Sequence, residues 1–172
     1  TRTDDLLDAI IHAELTMDDV DTDGTAITGP RRLEEAEILS MVIQLIGGGV
    51  HTTTQLICLT IANLIQHPEA MAAVRADPTL VANAVEETLR LESPAQFGRR
   101  IVKTPVQVGD VEIPAGATMG LCWGAAGHDP DVFPEPQRFD IHRHNARRHM
   151  GFGHGRHFCP GTHVARAEAN IA

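Results

Sequence analysis

From Ile38 to Gln66 the chain carries no formal charge when His51 is neutral. A run of that length sharply limits the folds open to it. It is long enough for a helix that spans a bilayer. Yet Gln44, Gly47, Gly48, Gly49, His51, Thr52, Thr53, Thr54, Gln55 and Asn63 interrupt its apolar character. A long helix through the middle of a globular core, over about residues 33–66, explains these residues better than a membrane span. Glycine inside a helix costs about 1 kcal/mol relative to alanine. Three in succession therefore imply a use, such as room for a ligand against the backbone and a local kink.

The flanking sequence extends this helical plan. Residues Asp4 to Glu14 suit a short amphipathic helix, and Asp21-Thr22-Asp23-Gly24 a turn. Pro68 and Pro78 stand where helices begin, the second running over about 79–91. It must stop before Ser93-Pro94, because the residue ahead of proline avoids helical geometry. Strands are then expected over Arg100–Val108, Val111–Ile113 and Met119–Trp123, separated by Gly109-Asp110 and Pro114-Ala115-Gly116. A long ordered loop fills about 124–161, and a last helix begins near 160. The fold class is mainly α with a small antiparallel β-sheet, in a single partial domain covering 1–172.

A chain of 172 residues can build one core, and 42% hydrophobic with 22% charged residues is globular. The net charge of −9 argues against nucleic acid as a partner. Three scattered cysteines and the lack of an apolar signal core point to the cytoplasm. The chain does not open on methionine and stops within an expected helix, so both ends read as cuts.

The residues that carry chemistry crowd into Gly151-Phe152-Gly153-His154-Gly155-Arg156-His157-Phe158-Cys159-Pro160-Gly161. Glycines let a backbone adopt positive φ and come close to a flat ligand. Pro160 suits the first position of the last helix, which places Cys159 at that helix's positive end. Phe152 can pack beside the sulfur and shield it, one of the influences that tune a metal ligand. The plain rival is a glycine-rich loop holding an inert buried thiol. A zinc site is the other, since His149, His154, His157 and His163 lie near Cys159, but no C-x-x-C pair accompanies them. Cys58 in the apolar helix and Cys122 on a strand occupy ordinary places for buried thiols.

The loop resembles the haem-binding signature of cytochromes P450, Phe-x-x-Gly-x-His/Arg-x-Cys-x-Gly. Phe152, Gly155, His157, Cys159 and Gly161 meet it, and Ala165, Arg166 and Glu168 continue it. Glu87-Thr88-Leu89-Arg90 resembles the Glu-x-x-Arg motif of the same family, whose pair locks to a residue of a later meander. Here the meander is Phe133–Asp140 and the expected third member is Arg138. Gly48-Gly49-Val50-His51-Thr52 resembles the family's oxygen-binding helix, with His51 where an aspartate or glutamate is usual. The fold implied is the C-terminal portion of the P450 fold of a soluble bacterial member.

The resemblance implies a haem-thiolate monooxygenase that inserts one atom of dioxygen into a small apolar substrate. Its cofactor would be haem b (iron protoporphyrin IX), with Cys159 as the metal ligand. Arg100 and His157 would meet the propionates, and Phe152, Gly153, Gly155, Gly161, Gly48 and Gly49 would line the cofactor. Thr52 and His51 would handle protons for dioxygen. A ferredoxin or flavoprotein reductase would dock at the basic face of Arg143, Arg147 and Arg148. Two alternatives stand beside this reading: a haem-binding sensor or carrier without turnover, and a non-catalytic fragment.

Overall fold

A computed structural model describes residues 5–15 and 30–172. The expected turn at Asp21–Gly24 lies outside them. The chain forms two compact units, Thr1–Gly49 and Val50–Ala172.

In the first unit, helix α1 spans Leu6–Ile11, and the Asp5 side chain caps it by accepting from the Asp8 N–H at 2.9 Å. Strands β1 (Glu14–Leu15) and β2 (Arg31–Arg32) pair antiparallel. Arg31 grips Glu37 with two hydrogen bonds of 2.7 and 2.8 Å at the start of the next helix. That grip, with the Glu34 N–H, lowers the Glu37 carboxyl to about 2.

Helix α2 runs unbroken from Glu35 to Gln66, so the three glycines do not interrupt it. It is the one helix among the described residues long and apolar enough to cross a membrane. Its second half behaves as a core helix: Thr53, Leu56, Thr60, Asn63 and Leu64 are buried at helical spacing. On the first half, Leu39, Ile43 and Ile46 are exposed.

Pro68 opens α3 (Pro68–Ala76), and Asp77 caps the short turn Pro78–Leu80 that leads into α4 (Val81–Leu91). Every residue of α4 from Ala84 to Arg90 is buried, which makes this helix the axis of the second unit. One side packs with Leu64, Ala70, Phe139 and Ile141. The other packs with Leu56, Ala169 and the half-buried Phe152. Leu56 lies one turn beyond Thr52, so α2 and the cysteine loop share a cluster.

The β region differs from the expectation in detail. It holds β3 (Gly98–Ile101), β4 (Val106–Val108), β5 (Val111–Ile113) and β6 (Thr118–Leu121). β3 pairs with β6 and β4 with β5, giving two antiparallel ribbons. The expected strand Arg100–Val108 is broken ahead of β4, where Pro105 has no N–H to give a ladder. Trp123 does not continue β6 but opens the short helix α5 (Trp123–Ala126). The Gly124 N–H bonds the Gln96 carbonyl at 2.9 Å, which turns the chain away from the ribbon. The last helix, α6, covers Thr162–Ile171.

Candidate functional site

Glu87 and Arg90 project from the buried face of α4 and form a two-pronged ion pair, with both contacts at 2.8 Å and both side chains 0% exposed. Arg90 spends its remaining donors on the carbonyls of Gly127 (2.6 Å), Pro136 (2.7 Å) and Arg138 (3.1 Å). Its guanidinium also lies 5.4 Å from the Phe133 ring centre. A side chain at Gly127 would strike the Arg90 carbonyl, which explains glycine there. A planar fork with five donors suits this task, and lysine could not replace it.

The third member of the lock is Arg143, which corrects the expectation of Arg138. Arg143 Nε donates to Glu87 Oε1 at 3.0 Å, and its other nitrogens bond the carbonyls of Pro134, Glu135 and Arg138. Arg138 contributes only its carbonyl. Its side chain is 62% exposed and pairs with Glu135 at 3.2 Å. The reason is a turn at Asp140, whose carbonyl accepts from the Arg143 N–H and whose side chain accepts from the His142 N–H. That turn folds Arg143 back under the meander. Glu135 sits at φ 48°, a costly conformation for a residue with a side chain, and its carbonyl faces Arg143.

Glu86, one residue earlier, holds a second buried group that the sequence reading passed over. Arg166 from α6 donates to it through Nε (2.5 Å) and Nη2 (3.0 Å), and His149 Nε2 lies 3.1 Å from Oε2. Burial alone would raise this carboxyl. The bonds from His149 and Arg166, with the charge of Arg166, outweigh burial and hold it at about 2. The adjacent acids Glu86-Glu87 and the arginine seven residues after Cys159 were its signal in the sequence.

The cysteine loop runs between His149 and Arg166, the two partners of Glu86. Gly153 (φ 73°) and Gly155 (φ 71°) occupy the left-handed region. Gly151 leaves no space for a side chain between Ser93, His149 and the Leu89 carbonyl. The Cys159 N–H donates to the Phe152 carbonyl at 2.9 Å, and the Thr162 hydroxyl donates to the Cys159 carbonyl at 2.7 Å. Helix α6 starts at Thr162, so Pro160 lies in the turn before it rather than at its first position. Cys159 is half-buried, with its sulfur 3.8 Å from where a Cβ on Gly161 would stand.

Cys58 and Cys122, expected to be buried, are both exposed. Cys58 lies off the buried stripe of α2, and Cys122 precedes α5. Thr52 is half-buried and His51 exposed on α2. Gly48 and Gly49 fall in the first unit, where an added Cβ would meet no neighbouring atom. Arg100 is half-buried on β3 with Nη1 bonded to the Arg99 carbonyl, and His157 is exposed. Of the basic residues expected at the surface, Arg147 and Arg148 are exposed whereas Arg143 is committed to the lock.

Among the described residues, no group of three or more His, Cys, Asp or Glu side chains is placed to hold a metal ion. A single half-buried thiol on a glycine loop suits a metal that brings its other ligands with it, as a porphyrin does. The donor set therefore fits haem, and the crowded histidines do not form a zinc site among themselves.

The family model described as Cytochrome P450 matches residues 1–83 and 76–172. Cytochrome P450 107B1 of Saccharopolyspora erythraea is 42% identical over 170 residues, which cover 98% of this chain and 38% of that protein. The 6-deoxyerythronolide B hydroxylase of the same organism is 38% identical over 169 residues, 98% of this chain and 39% of that one. The solved structure of CYP109Q5 from Chondromyces apiculatus aligns with a TM-score of 0.82 at 40% identity, covering 94% of this chain and 38% of that one. The chain thus spans about two fifths of the length of the curated relatives it matches. Motifs, architecture and these likenesses agree, and the chain belongs to the cytochrome P450 family.

Proposed function

We propose that this chain supplies the haem-thiolate portion of a cytoplasmic monooxygenase acting on a small apolar substrate. The observation that carries the reading is Cys159, a half-buried thiol on a left-handed glycine loop backed by the buried Glu86–His149–Arg166 network. Haem b, when bound, would supply the chemistry that activates dioxygen for insertion of one oxygen atom into a C–H bond. Cys159 would hold its iron, and Phe152 would shield the sulfur from water. Gly161 keeps the backbone beside the sulfur free of a side chain, and Gly153 and Gly155 supply the left-handed turns of the loop. Arg100 and His157 would pair with the propionates.

Thr52 lies one turn before the buried Leu56 and would present its hydroxyl on that face of α2. His51, beside it, would exchange protons with water, because it is exposed. Electrons would come from an acidic ferredoxin or a flavoprotein reductase that meets the exposed Arg147 and Arg148. The test is to run the haem-loaded protein with a ferredoxin system, NADH and isotopically labelled dioxygen on apolar substrates that it binds. One labelled oxygen atom per product is expected. Product labelled from water instead, or NADH consumed without any product, would contradict a monooxygenase.

A further inference from the structure

Two adjacent carboxylates of α4 serve different parts of the chain. Glu87 fixes the meander, whereas Glu86 gathers donors from both sides of the cysteine loop. His149 precedes Gly151–Gly161 and Arg166 follows it. We propose that Glu86 is a positioning residue for Cys159: with His149 and Arg166 it closes the base of the loop and sets the electrostatic surroundings of the thiol. The proposal rests on the reading of Cys159 as the haem ligand.

The hydrogen bonds define the clamp closely. The Gly151 N–H donates to His149 Nδ1 at 3.0 Å, so that nitrogen carries the lone pair and the proton sits on Nε2. Nε2–H then donates to Glu86 Oε2 at 3.1 Å. Arg166 closes the other side with its fork on both carboxylate oxygens. Phe152 lies between the clamp and the cysteine. Its ring centre is 4.8 Å from the Arg166 guanidinium carbon and 5.7 Å from the His149 ring centre, and its carbonyl accepts the Cys159 N–H. A shift at Glu86 is thus passed through two ring contacts to the backbone of the ligand residue.

Charge balance gives the clamp a second consequence. Glu86 faces Arg166 and His149, with Arg147 Nε 3.8 Å away. Removing the negative charge leaves the Arg166 and Arg147 guanidinium groups uncompensated beside the loop, because His149, with Nδ1 accepting, is neutral. A more positive surrounding favours the reduced state of a metal held there, and removing Arg166 acts in the opposite sense.

The experiment compares haem-loaded wild type with Glu86→Gln, Arg166→Gln and Arg166→Lys. The readouts are the midpoint reduction potential, the rate of loss of the thiolate-type ferrous–CO band in sub-denaturing urea, and far-UV circular dichroism. Glu86→Gln is expected to shift the potential upward and Arg166→Gln downward. Each should lose the thiolate band about tenfold faster, the usual scale for a residue that orients a metal ligand. Arg166→Lys keeps the charge but loses the fork and flat stacking, so it should speed the loss without moving the potential. If Glu86→Gln does not fold, the two Arg166 variants carry the test through their contrasting potentials. Equal potentials in Arg166→Gln, Arg166→Lys and wild type, or band loss that only follows global unfolding, would overturn the proposal. A wild type lacking the thiolate band would instead overturn the assignment of Cys159 on which it stands.

Discussion

Arg143 Nε donates to Glu87 Oε1 at 3.0 Å across 56 residues of sequence, and both side chains are withdrawn from water. The bond ties the far end of the meander to the helix that anchors Arg90. The single Glu87 carboxylate then bridges two guanidinium groups, and both spend their spare N–H donors on meander carbonyls, whose dipoles face the remaining positive charge. Such a network is favourable only when complete, because one missing partner strands a charge in a low-dielectric interior.

Alanine at Glu87, Arg90 or Arg143 is therefore expected to destabilise the haem-loaded protein by about 3–5 kcal/mol. Arg138→Ala, which removes only an exposed pair, should cost about 0–1 kcal/mol. Urea unfolding followed by circular dichroism separates the two cases. Equal effects at Arg138 and Arg143 would show that the wrong arginine has been placed in the lock.

Acid should act through Glu86. Its folded carboxyl lies near 2 against an ordinary value of 4.5, so its contribution to stability is full above about 4.5. That contribution fades as pH falls through the window between 4.5 and 2, where the unfolded chain binds the proton first. Glu86→Gln should lower stability at pH 7 and flatten its dependence on pH in that window. A slope identical to wild type would mean that the carboxyl is not held down in the folded state.

Charge reversal at Arg147 and Arg148 is expected to slow reduction by a ferredoxin and to weaken its dependence on ionic strength. Arg143 cannot be included in such a test, because its reversal would destroy the lock. Stopped-flow reduction at several salt concentrations measures the effect. Rates unchanged from wild type would place the docking face elsewhere.

On α2, Thr52→Ala and His51→Ala should each raise the share of NADH that ends as hydrogen peroxide rather than product. A group that delivers a proton in the reaction is worth about 10²-fold or more in rate, so product formation should fall steeply. Unchanged coupling in His51→Ala would leave the exposed imidazole without a part in proton delivery.

The parts of this architecture that were legible in the sequence are those whose chemistry is local. Gly153, Gly155 and Cys159 stand close together in the chain, and their backbone needs follow from residue type. The Glu87–Arg90 pair is likewise one turn of helix apart. What escaped depends on distant contacts. Nothing local distinguishes Arg138 from Arg143, since the turn at Asp140 decides which one reaches Glu87. Cys58 lies in an apolar run, but burial at Thr53, Leu56, Thr60 and Leu64 leaves it facing outward. Trp123 reads as a strand residue, yet the close fit of its ring over Gly98 belongs to the start of a helix.

The most direct test of the account is the spectrum of the dithionite-reduced, carbon-monoxide-bound protein in wild type, Cys159→Ser, Cys58→Ala and Cys122→Ala. A thiolate-type Soret band in wild type and in both alanine variants, lost only in Cys159→Ser, is the predicted result. A band that survives in Cys159→Ser, or disappears in Cys58→Ala or Cys122→Ala, would contradict Cys159 as the ligand.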